Sequence, residues 1–400
     1  MSRPGHYPPT IWRSTTALVA LGLWLTPTDS ICRADEVDAQ VAAIAAVGPQ
    51  GKGSAEARQA CRELASLGPE VLPRLLSAMD TPNIVAANWF RAAYEQIVTR
   101  EMSRSRPTFP VAALQAYVRD SKRQGRARRL ALDLLDRIDP HFKPAFLPTL
   151  LDDPEFRDDA VSLILKRGDD FEAQQKKTAA KQAYESAFRH ARNVDQVTTA
   201  ARKLEALGEK VSIQAHLGFV TDWSLIGPFP AAGMSGFRTP FPPETAVNLG
   251  LIAQTADKKE LRWIHHKTAD PFGTVDLVQV LGPVNEAVGY AYTEIDSPGS
   301  RDAQLRSSAD DCLAVWVNGE KVFGREMWLN GTRFDRFITP VTLKAGRNRI
   351  LVKVCQGPHH RDPAVGNAWT FQLRLCAPDG QGLTFKTVSA ADKRSLTKDK

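Results

Sequence analysis

From Ser308 to Phe323 the chain reads as two apolar runs, Leu313–Val317 and Lys321–Phe323, joined by Asn318-Gly319. A two-residue hairpin loop needs positive φ at both central positions. Asn and Gly are the residues that accept it most readily, so this pair is the strongest short-range hairpin signal a sequence carries. A second turn, Leu343-Lys-Ala-Gly-Arg-Asn348, then feeds the β-branched run Ile350-Leu-Val-Lys-Val354. These two segments constrain the chain more than any other, and they predict a β-sandwich over its C-terminal part.

The rest of that part agrees. From about 216 onward, short runs broken by Gly and Pro follow one another: Asp222–Ile226, Leu261–His265, Val275–Leu281, Ala287–Ile295, Ala303–Ser307, Phe337–Leu343, Arg349–Cys355 and Trp369–Cys376. Many short strands at such spacing indicate an all-β sandwich or jelly roll. Alternation puts Trp369, Phe371, Leu373 and Leu375 on one strand face, which reads as core. Trp316 falls opposite Leu313, Val315 and Val317, so both faces of that strand need cover.

Upstream, from 35 to 215, the period is helical. Ala57, Cys61, Leu64 and Leu67 recur at three- and four-residue spacing, as do Leu72, Leu75, Leu76 and Met79, with Gly68-Pro69 between the runs. The pattern returns 71 residues later, Leu64 matching Leu135, Pro69 matching Pro140 and Leu76 matching Leu147. Repetition of a helix–turn–helix of this kind resembles the HEAT-type repeats, and implies an α-solenoid whose stacked pairs contact a protein partner. The segment 171–208, closed by Gly208, is nearer to a tetratricopeptide hairpin. The fold expected is therefore multidomain, α then β: an N-terminal α-solenoid followed by a C-terminal β-sandwich jelly roll spanning 216–380, with a polar tail over 381–400.

Residues 1–34 stand apart. Arg3 and Arg13 precede the apolar run Ala17–Leu25, and small residues follow near Ala34, which is the plan of a secretory signal peptide; the run is too short to span a bilayer. No later segment reads as transmembrane. Removing this stretch takes away three arginines and one aspartate and lowers the formal charge from +7 to +5. So mild and dispersed a basic excess implies no nucleic-acid partner. Export to a periplasmic or extracellular location permits disulfides among Cys61, Cys312, Cys355 and Cys376. If the strands carrying Cys355 and Cys376 were antiparallel neighbours, those two sulfurs would lie over 20 Å apart at about 3.3 Å per residue. Buried free thiols are expected.

The motifs Val315-Trp-Val-Asn-Gly319, Leu343–Asn348, Ile350–Val354 and Trp369–Leu375 make residues 219–377 similar to the galactose-binding-domain-like jelly rolls found beside catalytic domains in bacterial glycoside hydrolases. Asp310-Asp311 also resembles the aspartate pair of PA14-type domains, which implies calcium beside a sugar. Two carboxylates supply only part of the six to eight oxygens that calcium takes, and the same pair also suits a turn cap. Trp328, in the segment 327–332, offers a flat face to a sugar ring, with Arg333 and Asp335 close by in sequence. Asp310, Asp311, Trp328, Arg333 and Asp335 are thus the candidate ligand-binding residues, and no cofactor other than calcium is expected. The long connection 357–368 between two strands is a further place for function. The basic run Arg119, Lys122, Arg123, Arg126, Arg128 and Arg129 reads as a solvated helix joint, or as a contact for an acidic partner.

No nucleophile elbow, phosphate loop or zinc motif occurs. The reading is an exported, non-catalytic binding or scaffold protein. The alternatives are a glycoside hydrolase whose carboxylates meet only in the fold, and a structural assembly protein.

Overall fold

The computed structural model describes residues 27–250, 252–255, 258–328, 331–359, 362 and 366–388. Most of the signal-like segment and the end of the polar tail lie outside these. The chain forms two compact units, one ending at Lys143 and the other beginning at Pro144.

The first unit is helical: α1 (Pro27–Ala45), α2 (Ser54–Ser66), α3 (Leu72–Ala78), α4 (Ile84–Met102), α5 (Val111–Arg119) and α6 (Gly125–Ile138), with α7 (Phe142–Phe146) straddling the boundary. The residues at helical spacing are the buried ones: Ala57, Cys61 and Leu64 on α2, Leu72, Leu75 and Leu76 on α3, Ala131, Leu132 and Leu135 on α6. Pro69 opens a short 3-10 turn that leads straight into α3. The segment 71 residues on differs in order: α6 ends at Ile138, α7 comes next, and the 3-10 turn at Leu147–Thr149 follows that helix instead of leading into it. Asn83 caps α4, its side-chain oxygen accepting from the backbone N–H groups of Val85 and Ala86 at 3.1 and 3.2 Å. Of the basic run only Arg128 is buried, and Arg119, Lys122 and Arg126 are exposed. Arg128 is buried and donates Nε to the Val118 carbonyl at 2.9 Å, Arg123 pairs with Asp80 and Asp120, and Arg119 lies over the Phe142 ring. No helix among the described residues is long and apolar enough to cross a membrane.

In the second unit α8 (Arg157–Ala173), α9 (Lys177–His190), α10 (Val194–Ala206) and the short α11 (Ile213–Leu217) come first. Gly168 on α8 admits the ring of Tyr184, since a Cβ there would sit 2.4 Å from it. Gly208, at φ +87, ends α10 with its N–H on the Glu205 carbonyl. The strands follow: β1 (Asp222–Pro230), β2 (Ile252–Gln254), β3 (Glu260–Arg262), β4 (Ile264–Lys267), β5 (Val275–Asp276), β6 (Ala287–Ser297), β7 (Arg301–Ala309), β8 (Leu313–Val317), β9 (Glu320–Arg325), β10 (Phe337–Leu343), β11 (Gly346–Gln356), β12 (Thr370–Cys376) and β13 (Lys386–Thr387). Short helices α12 (Pro242–Thr245) and α13 (Leu277–Leu281) interrupt them.

One antiparallel sheet runs β4-β1-β6-β11-β8-β9, with β13 also on β6; a second runs β10-β7-β12-β5; β2 and β3 pair by themselves. From β6 to β12 the chain passes repeatedly between the two larger sheets, as a jelly roll does. Their facing sides share one core of Trp223, Ile295, Leu305, Val315, Val352, Trp369 and Phe371 among others. Trp369, Phe371, Leu373 and Leu375 are all buried in it, as alternation predicts. The opposite face of the larger sheet carries a second apolar layer, in which Trp316 packs beneath the segment 231–263.

The structure differs from the sequence reading at two places. The helix–strand change at 215/216 is not where the units divide. Leu217 and Phe219 share a core with Val161, Ala187, Ala191 and Val197, and Arg157 pairs with Asp379 at 3.2 Å. The polar tail starts later than 381, because Leu383 and Val388 are buried and β13 joins β6. The condition posed for Cys355 and Cys376 does not arise, because β11 and β12 lie in different sheets.

Candidate functional site

Antiparallel pairing sends the connections of the sandwich to two ends. The turns 298–300 and 344–345 lie at one. At the other gather Asp310–Cys312, residues 326–328 and 331–336, and Gly357 just past β11. The fold thus brings Asp310, Asp311 and Trp328 together, although eighteen residues separate the first from the last.

Each is fixed by backbone. Asp310 N–H donates to the Thr370 carbonyl at 3.0 Å, where the chain leaves β7 for β8. Asp311 is buried at 5% exposure, and its Oδ2 accepts from the N–H of Gly357 at 2.6 Å. An added Cβ at that position would stand 2.9 Å from Asp311 Oδ2 and 3.2 Å from the Trp328 ring, so a larger residue would displace the carboxylate. Trp328 is half-buried against the layer containing Tyr290, Tyr292 and Cys355 rather than standing clear as a platform. Burial, then the neighbouring charge of Asp311, pushes the Asp310 carboxyl above the ordinary aspartate value, against the opposing pull of the Gly331 N–H and Arg336. A half-buried carboxyl in that state is eased by a proton, a cation or ligand hydroxyls. Among the described residues no three His, Cys, Asp or Glu side chains converge as metal ligands. A calcium ion here would need backbone carbonyls, water and ligand oxygens to complete its shell.

The other two candidates lie apart from this group. Arg333 is held through its backbone N–H on Ser308 Oγ at 2.8 Å, and its side chain is exposed. Asp335 belongs to an ionic network: Arg374 Nε reaches Oδ1 at 2.7 Å and Arg306 reaches Oδ2 at 2.7 Å. Burial works to raise its pKa, but hydrogen bonds and charge from Arg374, then Arg306, hold the carboxyl below the usual value. Arg374 is itself buried, donates to the Leu217 carbonyl at 3.0 Å, and stacks over Phe334. Asp335 therefore ties the sandwich to the end of α11.

Two features escaped the sequence. A cleft of about 630 Å³ lies at the opposite end of the sandwich, lined by Asp296, Arg301, Gln381, Phe385 and Lys386. It depends on the last described strand folding back, which no local pattern announces. The second is a buried triad under the segment 231–249. Lys353 Nζ meets Glu244 Oε1 at 2.7 Å and the Thr239 carbonyl at 2.8 Å, and Tyr290 Oη donates to the same Glu244 oxygen. Lys353 is 1% exposed. Its position inside the run Ile350–Val354 was a signal, because a lysine there needs a partner on its side of the sheet.

No family model matches the chain, and no curated protein matches it. Among solved structures, it is similar to the PA14 sugar-binding domain from an RTX adhesin at 12% identity, over 42% of this chain and 96% of that one, with a TM-score of 0.21. A family 35 carbohydrate-binding module from Clostridium thermocellum gives 17% identity over 23% and 79%, with a TM-score of 0.16. A Kluyveromyces marxianus β-glucosidase in complex with glucose gives 13% over 44% and 17%, with a TM-score of 0.24, so the chain spans under a fifth of that enzyme. Likenesses this faint decide neither fold nor ligand.

Proposed function

We propose that the chain is an exported, non-catalytic binding protein. In this reading the jelly roll holds a carbohydrate or another envelope component at the Asp310–Asp311 end, and the helical segment serves as a HEAT-type scaffold for a protein partner. The observation that carries it is the meeting of Asp311 and Trp328 at Gly357, with the Asp310 carboxyl beside Gly331 at the same loop end. Carboxylates accept hydrogen bonds from sugar hydroxyls or hold a cation that does so, and an indole supplies apolar area to a ring face.

A glycan array probed with the full chain, with and without calcium, tests this. Binding that Asp311→Ala abolishes is the expected result. Hydrolysis of a bound glycan would replace the binding reading with a glycoside hydrolase. Silence across the array would leave assembly with a protein partner as the function. Export is checked separately, by N-terminal sequencing of chain recovered outside the cytoplasm.

A further inference from the structure

We propose that Cys312 and Cys355 form a cross-strand disulfide that staples β8 to β11 directly beneath the loop end. The pairing rests on register. Val354 lies opposite Leu313, so the next pair outward is Cys355 opposite Cys312, and the Cys355 N–H donates to the Cys312 carbonyl at 3.0 Å. Directly opposed residues at a hydrogen-bonded antiparallel position have Cα atoms about 5.5 Å apart, inside the range a disulfide spans. Both side chains point to the same side of the sheet. Each is fully buried, and both belong to the apolar layer containing Ile226, Phe229 and Tyr290. Of the other three cysteines, Cys32 lies in the segment 1–34 expected to be removed, Cys61 is on α2, and Cys376 stands opposite Gln304.

The thiols are unbonded in the structure. Closing the bond joins the two sulfurs and releases two protons and two electrons, which an external disulfide accepts as it becomes two thiols. Exchange begins from a thiolate. Donating its hydrogen to the Cys312 sulfur, followed by burial, pushes the Cys355 thiol far above its ordinary value, while the Cys312 thiol donates to the Met327 carbonyl at 3.3 Å, so the folded sheet resists the reaction. Closure therefore belongs to folding, before the segment 231–249 covers the pair. The position has a use, because Asp311 precedes Cys312 and the turn at Gly357 follows two residues after Cys355. A covalent tie there fixes both strands from which the candidate site projects. The inference does not depend on the sugar-binding reading.

The test is oxidative refolding. Full-length protein is unfolded and reduced, refolded in a glutathione disulfide and glutathione buffer, then digested without reductant and analysed by mass spectrometry. The expected product is one peptide pair joined through Cys312 and Cys355, lighter by two hydrogens, with Cys32, Cys61 and Cys376 recovered as alkylated thiols. Oxidised protein should melt on the order of 5–10 °C above the reduced form, a difference that Cys312→Ser and Cys355→Ser each remove. Recovery of both cysteines as thiols after oxidative refolding would overturn the proposal, as would linkage of either one to Cys376 or Cys61. Should both single variants fold poorly, the peptide map of the wild-type protein still decides.

Discussion

Asp335 and Asp310 sit on nearby loops, yet their surroundings drive their carboxyls in opposite directions. Asp335, gripped by Arg374 and Arg306, is held below its ordinary value. Its folded state binds the proton less than its unfolded state does. The stability it contributes is complete above about pH 4 and is lost as pH falls through the folded value. Urea melts from pH 7 to pH 2 should show this loss in the wild type and a shallower decline in Asp335→Asn. That variant should also be weaker at neutral pH by about 3 kcal/mol, since it leaves Arg374 buried and uncompensated. Asp310 is raised, so it favours the protonated folded state, and stability falls as pH climbs just above about 4. Asp310→Asn should remove that slope and raise the neutral-pH melting midpoint in chelator. If calcium occupies the loop end, added calcium should stabilise the wild type and leave Asp310→Asn unmoved. Equal calcium effects on both would place the ion elsewhere.

At the scale of elements, the two turn motifs prove to be one unit. Asn318 donates Nδ2 to Asn348 Oδ1 at 3.0 Å and accepts from the Arg349 N–H through its own Oδ1 at 3.0 Å. Asn348, fully buried, accepts from the Lys344 N–H and donates to the Lys344 and Gly346 carbonyls. Asn348→Ala orphans several of these buried groups at once and should cost about 2–3 kcal/mol in chemical denaturation. A cost below about 0.5 kcal/mol would contradict this account of the turn. The hairpin, the strand runs and the core face of β12 were legible because they are local: a period of two, a turn dipeptide, an alternation. The lock on the segment 231–249 was not, because Lys353 and Glu244 are 109 residues apart and neither carries a motif. Glu244→Ala should release that segment, read as faster amide exchange over 233–249, since one partner of a buried pair is removed. The Asp310–Asp311 pair was visible as residues, but the meeting of Asp311 with Gly357 needed the long-range pairing of β8 with β11.

At the scale of the molecule, composition marked the change from helices to strands but misplaced the structural division. Apolar periodicity reports which faces are buried, not what they are buried against. Leu217 and Phe219 both fall on the sandwich side of the expected boundary, yet they share a core with α8, α9 and α10. A fragment covering 144–388 should therefore fold with a cooperative melt. One covering 216–388 should be markedly less stable, having lost that core and the Arg157–Asp379 pair; equal midpoints would restore the boundary at 216. The central claim is that the Asp310–Asp311 end, and not the cleft beside Arg301, is where the sandwich binds. Calorimetric titration of a glycan selected on the array decides this most directly. The account predicts at least a tenfold weaker affinity for Asp311→Ala, about 1.4 kcal/mol or more, with Arg301→Ala unchanged. Loss of binding in Arg301→Ala with Asp311→Ala unaffected would contradict it.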